Sequence, residues 1–410
     1  MEVVYRNSAG LDVHKRSVAV CARWVDEAGA AREDLKTFGT MTPDLLALSD
    51  WLGERGVTHV AMESTGVYWK PVYNLLEARF KILLVNARHI KQVPGRKTDV
   101  KDCQWIAQLL QHGLLRGSFV PDRPQRDLRD LTRHRAQLVA EQARVANRIQ
   151  KVLEDANIKL ASVATDVLGV SGRAMIRALI EGEQDGARLA ALARGRLQRK
   201  RSELASALEG HFTEHHRFML RTLWDHLQYL EHATAQLDAR IEEVMRPFQA
   251  KIDRLATLPG VKTQVARILV SELGTDMRQF PSAQHLASWA GVCPGSHESA
   301  GKRQHGRTTK GNRWLRRSLV QAAWAAAHTK NTYLSAQYRQ LARRRGRKRA
   351  LLAVGHTILT ISYHLLARST TYTELGADHY DRLHPDRLKR YLIRRLERLG
   401  YAVTLSNDAA

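Results

Sequence analysis

Five side chains set out the chemistry available to this chain. Four are carboxylates: Asp12, Glu63, Asp99 and Asp102. Asp12 lies inside the apolar run SAGLDVH, between Leu11 and Val13. A lone Asp in such a strand is costly unless it is paired or on a metal. Glu63 ends the run THVAMES, just before Ser64-Thr65-Gly66. Asp99 and Asp102 open a helical run three residues apart, so they share a face. Alone, that pair reads as charge in a first helical turn, favoured by the helix dipole, and Glu63 alone reads as a strand-end turn residue. Together the four offer hard oxygen donors for two Mg²⁺ ions, or Mn²⁺, about 3.5–4 Å apart, clamping a scissile phosphate. Lys15, Lys97 and Lys101 stand close by in sequence, where they can offset carboxylate repulsion or touch phosphate.

The fifth side chain is Ser299, in WAGVCPGSHESAGKRQHGRTTKGNRWLRR, Trp289 to Arg317. The run breaks at Pro294 and passes through small residues, including Ser296, Ser299, Ala300 and Gly301, as an expected loop. Lys302, Arg303, Arg307, Lys310, Arg313, Arg316 and Arg317 follow. A hydroxyl on a Gly-rich loop faced by cations suits attack on a phosphodiester, with covalent attachment of the serine and cationic stabilisation of the phosphate oxygens. Serine needs activation, and no His–Asp pair adjoins Ser299; His297 and His305 read as loop or phosphate-contacting residues. Ser296 is the rival nucleophile and reads more simply as a turn residue. From Ser299 to Thr373 there is no Asp or Glu, while sixteen residues are Lys or Arg. A solvated basic face is the plain explanation of a charge run, but here the cations alternate with Gly, Trp and Ala and have no local carboxylates.

The totals agree with a polyanionic partner. The chain has 410 residues, a formal net charge of +24 and a pI near 10.3. Such a balance favours nucleic acid with salt-sensitive affinity. Membrane-surface binding would concentrate charge in one amphipathic helix, whereas here it recurs through loops and several helices. No signal peptide is expected, and no uninterrupted apolar run is expected to span a bilayer. Cys21, Cys103 and Cys293 are far apart and odd in number, which suits a reducing cytoplasm rather than a disulfide framework or zinc site. His211, His215 and His216 read as a polar helix face.

The elements that must position these groups follow in order. Residues 8 to 38 read as three strands, with a turn at Asp26–Ala31. Thr42 is expected to cap a helix to about Arg55, with Pro43 in its first turn. Strand THVAMES, a helix from about Tyr68 to Arg79, strand KILLVNA and a helix from about Thr98 to Gly113 complete a βββαβαβα order. That order is the RNase-H-like one: three antiparallel strands, then parallel additions with crossover helices. From Pro121 to about Pro247, two long helices near heptad spacing should flank a smaller helical insert. The long pair reads equally as part of a helical bundle or as an antiparallel or intermolecular coiled coil. LPGV at 258–261 reads as a helix-hairpin-helix turn whose N–H groups can hold phosphate. A short helix with Ser282 as its cap, a helix from about Gly311 to Ala327, the cluster RRRGRKR at 343–349, an apolar helix and a basic tail helix follow. Gly355, His356 and His364 argue against a membrane span for the apolar helix. The division expected is 1–120, 121–250, 251–345 and 346–410.

GLDVHK around Asp12, MESTG around Glu63, KTDVKD at Asp99 and Asp102, LPGV at Pro259 and CPGSHESAGK around Ser299 resemble the DEDD-type insertion-sequence transposases. These join a RuvC-like domain to a C-terminal serine transposase domain, and some are guided by a bridge RNA. The resemblance spans nearly the whole chain in order. It implies α/β plus α architecture: a RuvC-like domain, a coiled-coil-like region and a mostly helical transposase domain. It implies Mg²⁺ on Asp12, Glu63, Asp99 and Asp102. It further implies a phosphoserine at Ser299, strand exchange through a Holliday junction, donor and target DNA, a non-coding RNA, and dimers pairing into a tetramer. A prokaryotic cytoplasm and nucleoid follow as the expected place. Glu298-Ser299-Ala300 stands where small residues or glycine often flank the serine, which bears on the loop conformation. The competing expectation is a RuvC-like, metal-dependent junction nuclease without serine chemistry; a non-catalytic nucleic-acid binder fits the intact quartet less well.

Overall fold

The computed structural model describes residues 2–64, 66–87, 90, 102–294, 298–299, 301–303, 308–383 and 385–405. The chain divides into two compact units, Met1–Pro121 and Asp122–Ala410.

The first unit is built on a five-stranded sheet in the order β3-β2-β1-β4-β5. Its strands are β1 (Ser8–Val13), β2 (Ser17–Val25), β3 (Ala31–Gly39), β4 (His59–Glu63) and β5 (Lys81–Val85). β1, β2 and β3 are antiparallel, and β4 and β5 run parallel to β1, the directions expected from the strand–helix alternation. Helices α1 (Thr42–Glu54) and α2 (Trp69–Leu76) cover one face. There Leu11, Val20, Val60 and Met62 pack against Leu48, Leu52, Val72 and Leu76. Helix α3 (Asp102–Gln111) covers the other, where Ala61 and Val85 meet Ile106 and Leu110. Cys21 and Cys103 come together in that layer as free thiols, and burial pushes Cys21 up to about 12.

Three boundaries differ from expectation. β3 begins at Ala31, because its edge pairing with β2 reaches Val25. Met41, not Thr42, is the N-cap of α1. Methionine has no oxygen to offer the helix, and Asp44 instead accepts a bond from the Met41 N–H at 3.3 Å. α2 spans less than the expected 68–79. The expected start of the helix at Thr98 lies outside the described residues.

The second unit is helical apart from one hairpin. Helices α4 (Arg123–Asp155) and α9 (Glu214–Met245) flank an insert of α5 (Leu160–Val163), α6 (Val170–Glu181), α7 (Gly186–Ala191), a 3-10 turn at Gly195–Lys200 and α8 (Arg201–Leu208). The long helices are antiparallel within the chain. Arg135 pairs with Asp238, Gln142 donates to the Leu230 carbonyl at 3.0 Å, and His216 reaches Asp155 at 3.1 Å. Leu138, Val145 and Ile149 share a core with Leu223, Leu227 and Leu230.

Helices α10 (Gln249–Ala256), α11 (Thr263–Leu273) and α12 (Ala283–Trp289) lead to the hairpin β6 (Glu298–Ser299) and β7 (Lys302–Arg303). Ser282 caps α12 as expected, its hydroxyl accepting from the His285 N–H. Helices α13 (Arg313–His328), α14 (Tyr333–Arg345), α15 (Arg347–Arg368), α16 (His379–Leu383) and α17 (Pro385–Glu397) complete the unit. α15 is the apolar helix expected from sequence; by length and composition alone it could cross a bilayer. It packs on α10, α12, α13 and α14, burying Val354, Ile358 and Leu359. Burial also lowers the His356 pKa. α15 thus builds a core with helices on the near side of the expected 345/346 boundary. In the LPGV turn, Gly260 has φ +84° and a Cβ there would meet the Ala322 carbonyl at 2.2 Å, so one side of that turn is filled by α13.

A buried carboxylate fastens α11 to α4. Glu272 is 1% exposed. Arg133 donates two bonds of 2.7 Å to its carboxylate, and Arg129 stands at 3.5 Å. Arg129 also donates to the backbone carbonyls of Ser271 and Glu272. Its burial lowers the guanidinium pKa to about 10, with the Glu272 charge opposing that fall. Removing one member of such a set leaves charge unpaired in the interior. Glu272→Ala is therefore expected to cost the second unit about 3–5 kcal/mol. Arg135→Ala, which breaks the more exposed pair with Asp238, should cost about 1 kcal/mol or less. Hydrogen exchange of residues 263–273 through a urea series checks both; equal losses would refute the difference.

Candidate functional site

Asp12, Glu63 and Asp102 are carried to one end of the first unit's sheet. β1 and β4 pair in parallel from Ser8 opposite His59 to Leu11 opposite Met62. Asp12 and Glu63 are the next residues on the two strands, at neighbouring carboxyl ends. By strand alternation they share the face of Gly10 and Ala61, which is the face that α3 covers.

α3 reaches this position because Gly10 has no side chain. A Cβ at Gly10 would lie 2.3 Å from both the Ala107 nitrogen and the Cys103 carbonyl oxygen. The helix backbone therefore lies directly on β1. Its last residue, Gln111, accepts backbone bonds from Val4 and Tyr5, before β1 begins. The helix thus runs opposite to β1, and its first residue, Asp102, faces the Asp12 end. Asp12 is 21% exposed at its side chain and bonds to His14 Nε2 at 3.1 Å. Asp99, Lys97 and Lys101 lie outside the described residues. Among the described residues, no three His, Cys, Asp or Glu side chains are close enough together to hold a metal ion. The donor chemistry fits a hard divalent cation, since all of the candidates are carboxylates. The shared sheet end is the feature that the fold supplies.

Ser299 stands on a hairpin where the sequence reads as a loop. It pairs with Lys302, and Glu298 pairs with Arg303. Gly301, in the two-residue turn, has φ +70°, a conformation that glycine adopts freely. At the base, Pro294 bridges Thr308. Below that, Gly291 and Gly311 touch: a Cβ on Gly311 would lie 2.3 Å from the Gly291 nitrogen, and one on Gly291 would lie 2.5 Å from the Gly311 nitrogen. Two glycines thus close the segment that carries Ser299. Ser296, His297, His305 and Arg307 lie outside the described residues.

The return side of the hairpin enters α13 through Asn312. The Asn312 side-chain oxygen accepts from the Trp314 and Leu315 N–H groups at 3.0 and 3.2 Å. Its amide nitrogen donates to Glu272 at 2.6 Å. The buried carboxylate that binds α4 to α11 therefore also holds the exit of the Ser299 segment. Glu272, Asn312, Arg129 and Arg133 are not among the site residues expected from sequence. Lys310, Arg313 and Arg317 are exposed and Arg316 is half-buried, and none forms an ion pair among the described residues. Arg313 lies over the Trp314 ring at 4.8 Å. This edge gives open positive charge beside a helix N-terminus, a combination that favours phosphate.

Comparison with known proteins gives two family matches. A DEDD-type IS110 transposase model, described as "Transposase", matches residues 9–158. The "Transposase IS116/IS110/IS902 family" model matches residues 252–339. The transposase for insertion sequence element IS1111A of Coxiella burnetii is 25% identical over 296 residues, 70% of this chain and 72% of that protein. The insertion element IS110 uncharacterized 43.6 kDa protein of Streptomyces coelicolor is 32% identical over 120 residues, 29% of each chain. The pilin gene-inverting protein of Moraxella bovis is 25% identical over 155 residues, 36% of this chain and 48% of that one. The match thus spans under half the length of two of these three relatives. One family model contains Asp12, Glu63 and Asp102, the other contains Ser299, and both are models of IS110-type transposases: the chain belongs to the IS110 family of transposases.

Proposed function

We propose that the chain is an insertion-sequence transposase that cuts and rejoins DNA through a phosphoserine at Ser299. The observation that carries this reading is that the two matched segments, 9–158 and 252–339, are the two that hold the carboxylates and the serine. In this reading residues 1–120 form a RuvC-like domain, 121–250 the helical region, 251–345 the serine transposase domain and 346–410 a basic extension.

The Ser299 hydroxyl gives up its proton as its oxygen attacks the scissile phosphorus. A phosphoserine bond forms, the phosphorus–sugar oxygen bond breaks, and the departing oxygen takes a proton as a free hydroxyl. A hydroxyl from another strand then attacks the phosphoserine, sealing DNA and returning Ser299. Lys302, Arg303, Arg307, Lys310, Arg313, Arg316 and Arg317 neutralise phosphate charge. Asp12, Glu63, Asp99 and Asp102 would hold divalent ions, Mg²⁺ or Mn²⁺, whose role is to stabilise charge on the phosphate oxygens. Lys97 and Lys101 would assist at the same phosphate. Donor and target DNA are the substrates, a bridge RNA the guide and a dimer-to-tetramer assembly the working form, in which the carboxylates of one protomer can serve the serine of another.

Three outcomes are expected. Ser299→Ala should retain nucleic-acid binding and oligomerisation yet give no covalent DNA adduct and no strand exchange, while Ser296→Ala keeps at least part of both. Trapping on a labelled substrate decides this: an adduct from the Ser299→Ala protein would move the nucleophile elsewhere. Asp12→Asn should abolish recombination in a protein with an unchanged circular dichroism spectrum; full activity of this variant in EDTA-treated buffer would sink the metal role. Nuclease treatment of the purified protein should remove target-specific recombination, and a copurifying RNA added back should restore it. Recombination at the normal rate without RNA would count against guidance.

A further inference from the structure

The C-terminal part of the chain, largely beyond the matched segment that ends at residue 339, holds a further open feature. A cleft of about 600 Å³ opens between α14 and the α16–α17 region. Arg339, Arg343 and Arg344 line one wall, and Tyr380, Asp381 and Tyr391 line the other. Arg339 and Arg343, four residues apart, share a face of α14, and Arg344 lines the cleft beside them.

The cleft is a built feature. Glu374 accepts a bond of 2.7 Å from the Tyr333 N–H and so satisfies the first turn of α14. The Tyr380 and Tyr333 rings stack with centroids 5.5 Å apart, and their hydroxyls bond at 3.2 Å. These contacts tie the far wall to α14. The cleft's arginines have no acidic partner among the described residues. Arg343 and Arg344 are exposed and form no ion pair among the described residues, and the Tyr391 ring is 50% exposed. Arg339 bonds only to its own helix among the described residues, at the Ser335 carbonyl and hydroxyl. Across from these cations, Asp381 supplies an acceptor.

A ligand that satisfies all of these groups carries phosphate for the arginines, a flat face for the tyrosine and an amino donor for the carboxylate. A nucleotide with its base exposed has all three. The volume lies within the range of about 300–1,000 Å³ typical of sites for small ligands. Stacking on an aromatic ring beside a cationic groove is the general means of holding unpaired strands. We infer that this cleft binds a single-stranded segment of nucleic acid, with a base on Tyr391 and the flanking phosphates on Arg343 and Arg344. The inference rests on reading the chain as one that works on nucleic acid, and it does not depend on Ser299.

The test uses the full chain and ten-residue oligo(dT) or oligo(U), each carrying one 5-iodo pyrimidine, with excess unlabelled duplex DNA to occupy duplex-binding surfaces. Irradiation and peptide mapping should place the adduct on Tyr391 or Tyr380. Tyr391→Ala should weaken oligonucleotide binding by about five-fold or more, leave duplex affinity unchanged and keep the circular dichroism melt. Tyr391→Phe should bind as the parent does. Arg343→Ala with Arg344→Ala should lower the salt-dependence slope for the single strand by about 1.4. Tighter binding of oligo(U) assigns the site to RNA, tighter binding of oligo(dT) to DNA, and equal binding to either strand. Adducts confined to other peptides, loss of the adduct to the duplex competitor, or equal losses for single strand and duplex would each overturn the inference. If these fail while Ser299 still forms its covalent adduct, the cleft assignment falls and the transposase reading stands.

Discussion

The second unit depends on a carboxylate that water does not reach. Glu272 sits at the end of α11, where an unpaired charge would be prohibitive. It is tolerable because Arg133 meets it with both arms of its guanidinium, Arg129 stands behind, and Asn312 donates from a third direction. Each partner comes with its own element. Arg129 and Arg133 fix α4, while Asn312 fixes the entry to α13 and the return side of the Ser299 hairpin. A hydrophobic contact of equal area would not set direction in this way, because dispersion and hydrophobic burial are non-directional. A bidentate pair admits a narrow range of geometries. The Ser299 segment is thus referred, through one side chain, to the longest helix among the described residues.

Close backbone contact supplies the other half of the positioning. At Gly10 a helix lies flush on the central strand, which brings Asp102 to the end where Asp12 and Glu63 emerge. At Gly291 and Gly311 two chain segments touch and close the base of the serine hairpin. In each case the missing methyl group lets main chain approach main chain, which no side-chain choice could achieve. The candidate site residues Asp12, Glu63, Asp102 and Ser299 stay at element ends: strand carboxyl ends, a helix amino end and a hairpin.

Much of this was legible in residue pattern. Alternation and β-branched content mark the first three strands, and the segment lengths fix which later strands must run parallel. Periodicity marks both long helices, and Ser282 announces a cap. The hairpin at Ser299 escaped because its strands are two residues each, too short for period-two alternation to show. Met41 escaped because its capping is done from Asp44, three residues on. Glu272 escaped for a different reason. Its signal, one Glu in the run ARILVSELG together with two arginines four residues apart at 129 and 133, is divided by more than a hundred residues of chain. Only the fold joins the halves. That Asp12 and Glu63 end neighbouring parallel strands was readable because strand order is a strong constraint, whereas a side-chain network across helices has no comparable rule.

Charge is distributed unevenly within the second unit, and the unevenness has a structural cause. In the long helices, the insert and α11, acids pair with arginines: Asp238 with Arg135, Glu231 with Arg173, Glu272 with Arg129 and Arg133. From Ser299 to Thr373 no acid is available, and among the described residues the cations there are exposed, apart from half-buried Arg316, and form no ion pair. Arg343, Arg344, Arg345, Arg347, Lys348 and Arg349 cluster around Gly346, whose φ of +79° lets α14 end and α15 begin without a connecting segment. Packing them so tightly raises the self-repulsion of the free protein, a cost that the apolar interior of α15 offsets through its contacts with α13 and α14. A bound polyanion relieves the same repulsion. Binding and folding are thereby coupled in this region: whatever neutralises the cluster also stabilises the helices that carry it.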